Sequence, residues 1–169
     1  MNDCILSIDA SLSSTGYAVF SDTDVIEVDK ITTKANKMVE HDRIIFITNT
    51  LISVVKKYNI KNAAMEDQFT GKNLKTSMQL SRLRGAIDYA LRTNGVNVEY
   101  LSPVTVKQIT SGKGNNSKEE VAISILRLYP NNDIVQSLGE FNDKQNKNKN
   151  SDMYDAIGIG YTYLQLRGL

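Results

Sequence analysis

Three short apolar runs follow one another at the N-terminus before any helical periodicity appears, and that order limits the fold more than any other feature. Cys4–Asp9, Thr15–Phe20 and Val25–Thr33 are separated by the turn-prone ASLSS and by Ser21–Asp24, so they read as an antiparallel meander of strands. From Lys37 to Tyr58 the period changes: Ile44, Ile47, Leu51, Val54 and Val55 share one helical face with polar residues opposite, which predicts an amphipathic helix. NAAMEDQF then reads as a short strand, 74–93 as a second helix stopped by Gly95, and VNVEYLSP as a strand ended by Pro103. A short helix in PVTVKQIT, the Gly-rich basic loop SGKGNNSK and a helix over SKEEVAISILRLY follow, the last opened by a capping box between Ser117 and Glu120. The final helix begins near Ser151 and carries Ile157, Ile159, Tyr161 and Leu164 toward a core. Strands first, then helices alternating with two further strands, predict an α/β domain with a mixed sheet.

At 169 residues, with 41% hydrophobic and 23% charged, the chain is expected to be one domain, 1–169, with a substantial core. The stretch Asn131–Asn150 is polar, rich in Asn and Lys and aperiodic, and is predicted to be a flexible loop over 131–150. Ser77, Ser81 and Gly85 recur every four residues on the second helix, a stripe of small side chains suited either to close packing on the sheet or to a dimer contact. No apolar run approaches the ~20 residues that cross a bilayer, and no signal-type segment opens the chain. A soluble cytoplasmic protein is expected. The single cysteine, Cys4, can form neither an intrachain disulfide nor a zinc cluster and is expected to be a small core side chain. The single histidine, His41, is expected at the surface.

Four carboxylates interrupt the edges of apolar segments: Asp9 ends CILSID, Glu66 lies in NAAMEDQF, and Asp152 and Asp155 lie in SDMYDAIGIGY. A charge withdrawn from water is costly unless it is paired or bound to a cation. Acids gathered from distant segments would offer hard oxygen ligands suited to Mg²⁺ or Mn²⁺. Asp152 and Asp155 are three apart at the start of a helix, so both can address one site. The ordinary alternatives are a helix N-terminal charge pair for Asp152 with Asp155 and a strand-end turn residue for Asp9. The net charge of +1 hides a distribution. Bases recur at Lys72, Lys75, Arg82, Arg84, Lys107, Lys113 and Lys118, and again at Lys144, Lys147 and Lys149. That pattern permits a polyanionic partner, or an ordinary solvated surface.

The motifs around these acids resemble one family. ILSIDASLSSTGYAVF looks like the first hairpin of RuvC-type Holliday junction resolvases, members of the ribonuclease H-like superfamily, and AMEDQFTGKNLKTSMQLSRLRGAI like their second acidic motif and following helix. SPVTVKQITSGKGNNSKEEV is similar to their basic motif and SDMYDAIGIGY to their paired C-terminal aspartates. The resemblance covers nearly the whole chain in order. It implies a ribonuclease H-like sheet of about five strands, an antiparallel meander joined to parallel strands and flanked by helices. It also implies catalytic, metal-binding acids at Asp9, Glu66, Asp152 and Asp155. Phosphate-contacting lysines are implied at Lys107 and Lys118, with Lys113 and Lys72 nearby, and a base-contacting aromatic at Phe69. The family has Pro-Gly after its first aspartate, where this chain has Ala10 and Ser11. The compact size and Asn/Lys-rich composition are similar to resolvases of bacteriophages of low-GC Gram-positive hosts, which would place the protein in the host cytoplasm.

The activity so implied is cleavage of four-way and other branched DNA by paired symmetric nicks. Two Mg²⁺ ions, ~4 Å apart with Asp9 between them and Mn²⁺ able to substitute, would activate the water and stabilise the leaving 3′ oxygen. Two opposed cuts on a two-fold junction imply a homodimer. Three other readings fit parts of the chain: a different ribonuclease H-like nuclease, a junction-binding protein without turnover, and an actin-like ATPase fragment, whose first phosphate loop is also an aspartate followed by a small-residue hairpin.

Overall fold

Side-chain alternation along the first strand decides how the two faces of the molecule are built. A computed structural model describes residues 4–67, 73–139 and 149–169. In β1 (Cys4–Asp9) Leu6 and Ile8 join one core while Ile5 joins the other, so Ser7 and Asp9, in step with Ile5, face the second. β2 (Ser14–Ser21) and β3 (Asp24–Thr32) continue antiparallel from β1, with a register shift between Val19 and Phe20. β4 (Asn62–Glu66) runs parallel to β1, and β5 (Asn97–Leu101) parallel to β4. The order is β3-β2-β1-β4-β5, the mixed five-stranded sheet that the patterning predicts.

Two helices cover the Leu6 and Ile8 face. α1 (Glu40–Tyr58) buries Arg43, Ile47, Leu51, Val54 and Val55. It ends on Asn59, whose left-handed backbone lets the Ile60 amide return to the Val55 carbonyl. α2 (Leu74–Thr93) begins where Asn73 caps the Thr76 amide and ends just before Gly95, at φ 76°. The other face carries α3 (Pro103–Ser111), α4 (Lys118–Leu128), α5 (Asp133–Gln136) and α6 (Ser151–Gln165). The Ser117–Glu120 capping box opens α4 as predicted.

α6 is buried nearly all round, because the sheet lies on one side of it and α3 and α4 on the other. It packs across β2 and β1. A side chain at Gly160 would run into the Phe20 ring, so this glycine sets how closely α6 can lie on the sheet.

Two expectations need correction. The predicted loop over 131–150 begins instead with the short helix α5. There Val135 is fully buried, and Asn132 caps the Val135 amide and donates to the Val25 carbonyl. Four residues are too few to print a helical period on the sequence; residues 140–148 lie outside the described ones. The stripe Ser77, Ser81, Gly85 does not pack on the sheet: Ser81 and Gly85 are exposed, and a Cβ on Gly85 would meet nothing within 4 Å. The buried face of α2 is Leu83, Ile87 and Leu91 instead. Cys4 packs partly buried against the α1/α2 core, and His41 is exposed beside Asp42. Among the described residues, no helix is long and apolar enough to cross a membrane.

Candidate active site

Asp9 and Glu66 close two neighbouring parallel strands at their C-terminal ends, where open α/β sheets characteristically bind ligands. The register pairs Ile8 with Met65, so the next residue on each strand is the acid. Strand parity turns both toward the α6 face, Asp9 with Ile5 and Glu66 with Ala64. α6 delivers the other two, Asp152 in its first turn and Asp155 three residues on. One carboxylate oxygen from each of Asp9, Asp152 and Asp155 lies within 4.8 Å of the other two. Glu66 is not one of that trio, but its charge acts on Asp9.

The approach of α6 depends on Gly16, which pairs with Asp9 in the β1–β2 ladder. A Cβ at this position would stand 2.0 Å from the Asp152 carbonyl oxygen. The turn after Asp9, where Ala10 and Ser11 replace the expected Pro-Gly, is held by side chains. Thr15 Oγ1 donates to the Ser11 carbonyl (2.6 Å) and accepts from the Ser11 amide (3.3 Å). The Thr33 amide donates to the Ser13 carbonyl (3.1 Å), and the Thr33 hydroxyl to that of Leu12.

Burial pushes the Asp9 carboxyl well above the usual carboxylate range; the charges of Asp155 and Glu66 raise it further, and Lys118 pulls back only in part. Burial also raises Asp155, against the pull of Lys118 and Lys107. Lys118, at the first position of α4, donates from Nζ to Asp155 Oδ2 at 2.7 Å. Burial alone would lower its pKa, but Asp155, Asp9 and Asp152 together raise it. The site therefore holds more negative charge than its lysines neutralise. All its donors are oxygens, the set that suits a hard divalent cation, while His41 is exposed on α1 and Cys4 lies at the opposite end of β1. The three clustered acids could hold a metal ion.

Of the predicted basic residues, Lys107 on α3 is half-buried and acts on Asp155. Lys113 is exposed in the loop after α3, and the acid that feels its charge is Glu120. Phe69 and Lys72 lie outside the described residues. Two contributors to the site carried a signal in the sequence that composition hides. Gly16 is a glycine inside a strand pattern, which marks a close approach. Arg43 lies one turn before Ile47 on the apolar stripe of α1, and it lines a cleft of about 500 Å³ together with Asp9, Asp152 and Lys118.

Comparison with known proteins identifies the family. The family model described as crossover junction endodeoxyribonuclease RuvC matches residues 5–160. The crossover junction endodeoxyribonuclease of Rickettsia typhi is 32% identical over 163 residues, spanning 95% of this chain and 96% of that protein. Among solved structures, Thermus thermophilus RuvC in complex with Holliday junction substrate superposes with a TM-score of 0.76 at 20% identity, over 98% of this chain and 96% of that one. The yeast mitochondrial Holliday junction resolvase gives 0.71 at 17% identity, over 99% and 80%. At those identities the structures speak to the fold, which is ribonuclease H-like, whereas the family model and the Rickettsia sequence speak to descent. The chain belongs to the RuvC family of crossover junction endodeoxyribonucleases.

Proposed function

We propose that this endonuclease resolves four-way DNA junctions as a homodimer, making paired symmetric nicks with Asp9, Glu66, Asp152 and Asp155 as its Mg²⁺-binding catalytic acids. The observation that carries the reading is the convergence of Asp9, Asp152 and Asp155 within 4.8 Å beside Lys118. Asp9, Glu66, Asp152 and Asp155 would hold Mg²⁺, which would supply Lewis acidity toward the attacking water and the charge developing at phosphorus, with Mn²⁺ able to substitute. Asp9, fixed by the β1 ladder, and Asp152 with Asp155, fixed by α6, set where the scissile phosphate stands. The water oxygen bonds to phosphorus as the bond to the 3′ oxygen breaks, which leaves a 5′ phosphate and a 3′ hydroxyl that a ligase can rejoin. Lys118 exchanges its contact with Asp155 for a phosphate oxygen when the strand arrives, and Lys107 holds the same strand from α3. Phe69 is assigned to an unpaired junction base, and Lys72 and Lys113 to further DNA contacts.

The two-fold symmetry of a four-way junction and one site per chain favour a homodimer, and the exposed small-residue stripe of α2 is compatible with one. The whole chain is read as a single nuclease domain acting in the cytoplasm. Its Asn/Lys-rich composition supports a bacteriophage source.

The decisive experiment incubates the protein with fixed and mobile synthetic junctions, forks and linear duplex in Mg²⁺ and maps the nicks. Symmetric paired nicks confined to the junction, with ligatable ends, are expected. Equal cutting of linear duplex, or unpaired nicks, would defeat the assignment. Lys118→Met should flatten the salt dependence of metal-free junction binding by about one unit. It should also lower the melting temperature, because Asp155 loses its ion pair. A salt slope equal to that of the wild type would remove Lys118 from the phosphate contacts.

A further inference from the structure

Among the described residues only two charged side chains are buried, Asp9 at 8% exposure and Arg43 at 7%, and they line the same cleft. Asp9 belongs to the acidic site. Arg43 has no such account. Its Nε donates to Thr33 Oγ1 at 2.7 Å, which ties the guanidinium to the turn that follows Asp9. Among the described residues it makes no ion pair. Glu40, three residues earlier on its own helix, feels the Arg43 charge but takes its hydrogen bonds from Arg82 Nη1 at 2.9 Å and Gln79 Nε2 at 2.8 Å. A guanidinium carries five N–H donors; one is spent, and among the described residues the Nη donors have no protein partner.

A buried cation that makes no ion pair of its own opposes folding, so a pure packing role would be served better by an apolar side chain of the same length. The planar fork of arginine matches two non-bridging oxygens of a phosphodiester. The cleft that Arg43 lines also holds Asp9 and Asp152, acids that would otherwise repel a nucleic-acid backbone. We propose that Arg43 is a phosphate clamp: it binds a non-scissile phosphodiester of the DNA strand whose scissile phosphate stands at Asp9, and so sets the register of the cut. This rests on the reading that the cleft takes DNA. Arg43 is a binding and positioning residue, with Thr33 holding its Nε edge and Thr76 and Gln79 of α2 forming the facing wall.

The test compares wild type, Arg43→Met and Arg43→Lys in three measurements: melting temperature without DNA, binding to a fixed four-way junction in EDTA across a salt series, and nick mapping in Mg²⁺. Arg43→Met should melt at or above the wild-type temperature. It should bind on the order of tenfold more weakly, as loss of a charged hydrogen bond implies, with a slope flatter by about 0.9, and its nicks should spread over neighbouring positions. Arg43→Lys keeps the charge and should restore the slope, but its single ammonium cannot reproduce the fork, so the nicks should stay spread. Wild-type slope and nick positions in Arg43→Met would overturn the clamp, and so would weaker binding that only follows a fall in melting temperature. Failure of the wild type itself to bind or nick junctions would be a separate result: it removes the resolvase reading and the clamp with it.

Discussion

Asp9→Asn is expected to abolish cleavage while making the metal-free protein more stable. Both effects have one cause. Asp9 is buried, and its carboxylate faces Asp155, Glu66 and Asp152, with Lys118 offsetting them only in part. In the absence of a cation, that ionised carboxylate is destabilised first by desolvation and then by like charge. Asparagine keeps the shape and removes the charge. If the relief amounts to about 1 kcal/mol, the melting temperature in EDTA rises by roughly 2–4 °C for a chain of this size. The same change removes a carboxylate that, on the proposed reading, would hold the catalytic metal. Several kcal/mol of transition-state stabilisation are then lost, on the order of 10³-fold or more in single-turnover rate. Added Mg²⁺ should raise the wild-type melting temperature by ligand linkage and raise that of Asp9→Asn much less. Junction binding in EDTA should persist, and even tighten, because one repelling charge has gone. Retained cutting would sink the assignment of Asp9, and a lower melting temperature in EDTA would contradict the electrostatic account.

How far the sequence revealed this arrangement depends on whether the determinant was local. Strand and helix limits are local. α2 runs from Leu74 to Thr93 as its periodicity and Gly95 indicate, and the β1–β3 meander follows its breaks. The Asp152 and Asp155 pair was equally visible, because three-residue spacing at a helix start is enough to bring two side chains together. Their meeting with Asp9 was different. It requires α6 to cross β2 and β1 at one particular height, which no spacing encodes, and the family resemblance supplied it. The stripe at Ser77, Ser81 and Gly85 shows the converse: small residues at a helical period permit close approach without saying from which side. Arg43 lies just before the apolar face that starts at Ile44, and a base at such a position is expected to turn to solvent. Its hydroxyl partner, Thr33, comes from the end of a strand ten residues earlier. Polar contacts of this kind leave no periodic trace.

Gly16→Ala should be nearly as damaging to cleavage as loss of an acid, although it changes no charge and touches no ligand atom. The added Cβ would lie 2.0 Å from the Asp152 carbonyl oxygen and 2.4 Å from its carbon. Those are backbone atoms of the first turn of α6, so no rotamer change relieves the clash, and either α6 or the β1–β2 ladder must move. Overpacking of this kind costs about 1–3 kcal/mol. The functional penalty is larger, because Mg²⁺ tolerates little departure from its oxygen distances, and a misplacement of about 1 Å can cost on the order of 100-fold in rate. Two other glycines on α6 separate position from stability. At Gly160 a Cβ would stand 2.1 Å from the Phe20 ring, away from the acids, whereas at Gly158 the nearest atom is Thr110 Oγ1 at an ordinary 3.4 Å. Gly160→Ala should therefore melt earlier, with cleavage by the folded fraction reduced far less than in Gly16→Ala, because the clash lies more than a turn beyond Asp155 and against a side chain. Gly158→Ala should cut normally and gain up to about 1 kcal/mol of helix propensity. Gly16→Ala should lose Mg²⁺-dependent stabilisation as well as cutting, since the displaced Asp152 and Asp155 can no longer close on a shared ion with Asp9. If it melts like Gly160→Ala yet keeps its Mg²⁺ response and wild-type cleavage, then the contact between β2 and α6 serves packing alone, and the placement of the two aspartates must come from α3 and α4 behind the helix.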